Sequence, residues 1–164
     1  YFHGEGEACI NGIALAVGNS TAVPGWTVAN NPVTVMGSNY FPASDGLNCL
    51  ALSDCSGPGS VFQDLTTEPG VSYDISFDMA ANPWNPETDS LDVYWGGQHA
   101  GSFTAVSTGS YPDNAISWVR REILSVAATS VTTRLQFVDT DSNNIAHLID
   151  GIRVVPQVDC EPHR

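Results

Sequence analysis

The longest regular pattern covers residues 71–79. Val71, Tyr73, Ile75, Phe77 and Met79 alternate with Ser72, Asp74, Ser76 and Asp78. A period of two describes a strand with one face on a core and the other in water. Pro69-Gly70 opens it as a turn, and Asn82-Pro83 closes it because proline has no N–H for the ladder. This strand is expected to lie inside a sheet, with Asp74 and Asp78 on its wet face. Residues 91–95 also alternate, and Gly96-Gly97 predicts a hairpin turn into 98–106. Val61, Gln63 and Leu65 alternate with Phe62 and Asp64, and Thr133, Leu135 and Phe137 with Thr132, Arg134 and Gln136. Shorter strands are expected at 9–17, 26–29, 33–36 and 47–52, one or two at 116–126, and a last one at 146–155.

About ten to twelve antiparallel strands, no convincing helix and frequent turns predict an all-β sandwich. The expected layout is a lead-in at 1–8, one domain at 9–156 and a tail at 157–164. Pairing of the first strand with the last is expected, which would bring Cys9 to Cys160.

Composition sharpens this picture. A chain of 164 residues buries a sizeable core. Eighteen Asp and Glu stand against five Arg, and there is no lysine. The net charge of -13 repels nucleic acid and anionic membranes, and no apolar run is long enough to insert into a bilayer. It leaves carboxylates for Ca²⁺, a hard cation that takes oxygen ligands. Cys9, Cys49, Cys55 and Cys160 make no Cys-x-x-Cys pair and no clustered histidines accompany them, so zinc is not expected. An even count points to two disulfides and an oxidising compartment. Three connectivities are possible, and Cys49–Cys55 with Cys9–Cys160 is favoured. Four reduced, buried thiols are the alternative. Asn19-Ser20-Thr21 is a glycosylation sequon. Together with Tyr1 as the first residue of a processed chain, these features predict a secreted or cell-surface protein.

Several motifs in order resemble a known family. They are Pro24-Gly25-Trp26-Thr27-Val28, Tyr40-Phe41-Pro42-Ala43-Ser44-Asp45-Gly46, Ser60-Val61-Phe62-Gln63, Ser76-Phe77-Asp78-Met79-Ala80 with Asn82-Pro83, Trp118, and Leu148-Ile149-Asp150-Gly151-Ile152. Over residues 11–155 the chain resembles the bacterial choice-of-anchor C family and its plant cell-wall relatives, the domain of unknown function number 642. The resemblance implies a galactose-binding-like jelly-roll β-sandwich, extracellular, with carbohydrate or cell-wall contact and no defining enzymatic mechanism. After Asn11-Gly12 this chain lacks the family's Ser-Phe-Glu, and with it a glutamate that could ligate a structural cation.

Catalysis has little support. The four histidines are scattered and Gly-x-Ser-x-Gly is absent. Asp74 and Asp78 would need a cleft and one raised pKa to act as a glycosidase pair. A structural Ca²⁺ could use Asp45 and Asp150, near strand ends, and Asp139-Thr140-Asp141 crowds one loop. The same Asp-Gly steps also make ordinary turns. Sugar binding needs an aromatic platform with polar groups beside it. Trp84, Asn85, Tyr111 and Tyr40 sit on expected loops and are the candidates, whereas Trp26 and Trp118 are expected in the core.

The leading expectation is a non-catalytic carbohydrate-binding or cell-surface-binding module whose partner is a polysaccharide or glycan. The alternative is a structural protomer that assembles with copies of itself into a filament or coat. Its N-terminal strand, carrying Ile10, Ile13 and Leu15, would then complete a neighbour's sheet.

Overall fold

The computed structural model describes residues 12–54, 56–83, 88–107, 116–141 and 147–157. Their strands are β1 (Gly12–Leu15), β2 (Thr27–Asn30), β3 (Val33–Gly37), β4 (Asn48–Ala51), β5 (Gly59–Thr66), β6 (Ser72–Ala80), β7 (Thr88–Trp95), β8 (Gln98–Val106), β9 (Val119–Ala127), β10 (Thr132–Asp139) and β11 (Leu148–Pro156). They form an antiparallel jelly-roll sandwich of two sheets. One has the order β1-β3-β4-β11-β6-β9 and the other β2-β5-β10-β7-β8. No helix among the described residues is long and apolar enough to cross a membrane.

The alternating strand is β6, paired on both sides, with β11 and β9. Tyr73, Ile75, Phe77 and Met79 are buried between the sheets, as the period of two requires. Phe77 meets Phe103 and Phe137 edge-on, with centroids 5.2 and 5.0 Å apart. Gly96 and Gly97 both have positive φ, 58° and 80°, which suits the two-residue turn between β7 and β8. Residues 119–127 make one strand, not two.

The expected pairing of the first strand with the last is not formed. β1 pairs with β3 at the sheet edge, and β11 lies between β4 and β6. The apolar alternation of a short strand fixes its face but not its neighbour. Of the expected assembly residues, Leu15 is buried, Ile13 is 69% exposed and Ile10 lies outside the described residues.

The six-stranded sheet also carries a small second core on its outer face. Met36, Phe41, Cys49, Ala51, Ala80 and Leu148 pack there, with Tyr40, Ala43, Ile116 and Trp118 partly buried around them. The β3–β4 connection folds over this patch and is tied by a bond from Trp118 Nε1 to the Pro42 carbonyl at 2.8 Å. Trp118 is therefore a half-buried cover just ahead of β9, whereas Trp26, just ahead of β2, packs half-buried against the core between the sheets, 5.8 Å from Phe137.

Candidate functional site

The outer face of the five-stranded sheet is the most distinctive polar surface of the described residues. Antiparallel register builds it. Phe62 on β5 is opposite Gln136 on β10, which is opposite Tyr94 on β7, which in turn is opposite His99 on β8. Thr27 on β2 pairs with Phe62 at the other end. Facing residues point to the same side of a sheet, so these five form one row across it. Phe62, Gln136 and Tyr94 are half-buried and His99 is exposed.

Both ends of the row are held in place. The Arg134 guanidinium lies over the Phe62 ring, 3.7 Å from its centroid. It donates from Nε and one terminal nitrogen to the two oxygens of Asp64, at 2.7 and 2.8 Å. That bidentate bond holds the Asp64 carboxyl below the usual carboxylate range. At the other end, Ser102 Oγ donates to Asp92 at 2.6 Å and lies 3.0 Å from His99 Nε2. With its proton committed to Asp92, the hydroxyl accepts from an Nε2–H, which selects that tautomer in neutral His99. The His99 ring meets Tyr94 edge-on at 5.6 Å. The result is a flat face with aromatic surface, amide and hydroxyl groups, and charges fixed by neighbours.

The sequence-predicted sugar contacts fall elsewhere. Trp84, Asn85 and Tyr111 lie outside the described residues. Tyr40 is half-buried against Phe41 at 4.8 Å and belongs to the second core. Sequence alternation already placed Phe62 with Asp64 and Arg134 with Gln136. The missing signal was strand order, which puts β5, β10 and β7 side by side.

Asp150 anchors a loop. Its Oδ2 accepts from the amides of Ser44 and Asp45, both at 2.9 Å, and its Oδ1 from the Gly151 amide at 2.8 Å. Asp45 is exposed, and Arg153 approaches its carboxylate to 3.8 Å. Asp78 takes Arg120 on Oδ1 and Ser44 Oγ on Oδ2, at 3.2 and 2.8 Å. Asp74 Oδ1 takes the Ser125 amide and Gln157 Nε2. Asp74 and Asp78 are four residues apart on one strand, so their backbones are about 13 Å apart, wider than the spacing of glycosidase carboxylates.

Cys49 is a free thiol in the second core, and burial pushes its pKa up to about 12. Cys9, Cys55 and Cys160 lie outside the described residues. Asn19 is half-buried, and its Oδ1 accepts from the amides of Thr21 and Ala22.

One buried cluster contains a residue that the sequence reading passed over. Asp139 and Asp141 meet His147, which is fully buried just ahead of β11. Burial raises the Asp139 pKa to about 6. A period-two signal for Asp139 existed, because it continues the inward row Thr133, Leu135, Phe137.

No curated protein is significantly similar to the chain in sequence. Solved structures share its fold at low identity. The family 22 carbohydrate binding module of Clostridium thermocellum Xyn10B matches with a TM-score of 0.60 and 15% identity, over 90% of this chain and 96% of that one. The xylan-binding domain CBM22-1 of Paenibacillus barcinonensis Xyn10C gives 0.58 and 14%, over 88% and 92%. TmCBM61, solved with β-1,4-galactotriose, gives 0.53 and 18%, over 82% and 90%. In sequence, residues 5–154 match the family described as "Protein of unknown function (DUF642)", and the chain belongs to that family.

Proposed function

We propose that this protein is a non-catalytic carbohydrate-binding module that holds an extracellular polysaccharide on the outer face of its five-stranded sheet. The carrying observation is the row Phe62–Gln136–Tyr94–His99, flanked by Arg134, Asp92 and Ser102. Aromatic rings cover the apolar faces of sugars, and amide, hydroxyl and guanidinium groups take their hydroxyls. Phe62 and Tyr94 are two strands apart, about 10 Å, which is the reach of two linked sugar rings. The carbohydrate-binding modules that share the fold support the reading. Charge supports it too, since a neutral glycan is not repelled by a chain of net charge -13.

The test is calorimetry and affinity electrophoresis with soluble xylan and β-1,4-galactan, followed by a wider glycan array. Tyr94→Ala and Gln136→Ala should each weaken binding about tenfold or more while melting like the parent, since a polar contact or ring is worth about 1–2 kcal/mol. Unchanged affinity in both variants refutes this face as the site. Trp84→Ala and Tyr111→Ala, the loop candidates, then become the next substitutions. A second reading rests on β1, which pairs on one side only among the described residues and exposes Ile13. Assembly through that edge would give polymers by light scattering that Ile13→Lys disperses. A monodisperse monomer removes it.

A further inference from the structure

We propose that Asp139, Asp141 and His147 form a buried site for a single divalent cation of the zinc class. The site lies where the chain leaves β10 in one sheet and enters β11 in the other. It is independent of the glycan-binding face.

The geometry comes first. One ligand atom from each side chain lies within 4.8 Å of the other two. His147 Nδ1 is 4.0 Å from Asp139 Oδ1 and 4.0 Å from Asp141 Oδ2. That is too long for hydrogen bonds, which need about 2.7–3.2 Å. Two ligands of one tetrahedral zinc ion, each about 2.0–2.2 Å from it, lie about 3.3–3.6 Å apart. The carboxylates and the imidazole therefore face a common centre, and a closing movement of about half an ångström brings them to zinc-bridging distance.

The unpartnered atoms point the same way. His147 is 0% exposed, and neither of its ring nitrogens has a hydrogen-bond partner among the described residues. Asp139 is 4% exposed and its Oδ2 is also without a partner. A buried imidazole and a buried carboxylate oxygen left bare side by side carry a large desolvation cost. A cation bound by Nδ1 and the carboxylate removes much of that cost.

The surroundings hold the ligands as a metal site does. Asp141 Oδ2 accepts from the Ser90 amide at 2.6 Å, and its Oδ1 from Ser90 Oγ at 2.7 Å. Asp139 Oδ1 accepts from the Asp141 amide at 2.9 Å. Ligating carboxylates fixed by such outer bonds are the usual pattern. The donor set selects the metal. Calcium takes six to eight oxygens, whereas one imidazole with two carboxylates suits zinc, with a water completing four ligands. The cation would fasten the end of β10, the start of β11 and Ser90 of β7 to one another.

The test uses the full chain, treated with a chelator and dialysed. ZnCl₂ is titrated in by calorimetry, bound metal is counted by mass spectrometry, and melting is followed with ZnCl₂, MnCl₂ and CaCl₂. The expected result is one zinc removed by Asp139→Asn, and a melting temperature that rises by about 5–10 °C when free zinc is a hundredfold above Kd. Asp139→Asn and His147→Gln should lower zinc affinity at least a hundredfold and abolish the rise. Asp139→Asn removes a bare buried charge, so it folds without metal and keeps the test valid even where His147→Gln does not fold. The proposal is overturned by a native chain that shows no zinc-dependent rise, by Asp139→Asn retaining it, or by calcium alone producing it.

Discussion

Asp150 offers the sharpest test of how the outer loop is held. Its carboxylate receives three backbone donors, from Ser44, Asp45 and Gly151. Ser44 Oγ lies 3.2 Å from Asp150 Oδ2 but 2.8 Å from Asp78 Oδ2, and its single proton goes to the nearer. Asp150→Ala leaves the three amides without this acceptor. The site is partly open to water, so each bond counts as an ordinary net hydrogen bond, about 1 kcal/mol, and the loss is about 3 kcal/mol. Asp150→Asn can keep its oxygen toward Ser44 and Asp45. It then turns an NH₂ group toward the Gly151 amide, donor against donor, for a loss of about 1.5 kcal/mol. Urea unfolding measures both values. Hydrogen exchange locates them, because the Ser44 and Asp45 amides should exchange faster while those of β6 keep their protection relative to global stability. A cost below about 0.5 kcal/mol in Asp150→Ala, or unchanged exchange at Ser44 and Asp45, refutes the anchoring role.

Three further outcomes rest on contacts already described. Gly151 has φ +56°, and a Cβ there would lie 2.7 Å from Asp78 Oδ2, which Ser44 holds, so Gly151→Ala should cost about 2 kcal/mol in urea unfolding. Cys49, with a pKa near 12, has about one thiolate in ten thousand at pH 8, so iodoacetamide should spare it in the folded chain and label it in denaturant without reductant. Labelling that requires reductant would show instead the Cys49–Cys55 bridge expected from sequence. The Arg134 bond depresses the Asp64 pKa, so its small contribution to stability is full above the ordinary carboxylate pKa and is lost as pH falls through the lower folded value. Carboxyl NMR should find Asp64 titrating below the usual range in the parent and returning upward in Arg134→Gln.

Local pattern carried far into this fold, and non-local pairing is where it stopped. Period two fixed β6 and its buried face, and Gly96-Gly97 fixed the β7–β8 hairpin, because both depend on neighbours in sequence. The row from Phe62 to His99 draws on residues as far apart in the chain as Phe62 and Gln136, and nothing in one strand encodes which other lies beside it. The same limit misled the placement of β1. Tyr40 was legible as a loop residue but not as one folded over a second core, since its burial depends on Trp118 and Leu148 arriving from distant segments. Asp139 was open to reading, as a carboxylate on an inward step of β10. His147 had no periodic signal, because it precedes its strand.

The position of β11 bears on how the protein is made. The last of the described strands lies in the middle of its sheet, between β4 and β6. A ribosome releases β1, β3 and β4, then β6 and β9, as two half-sheets with nothing to join them until β11 has emerged. Completion of the six-stranded sheet therefore waits for β11 to emerge, and a chain truncated before Leu148 lacks the strand that joins β4 to β6. Until then the unpaired edges of β4 and β6 are open to other chains.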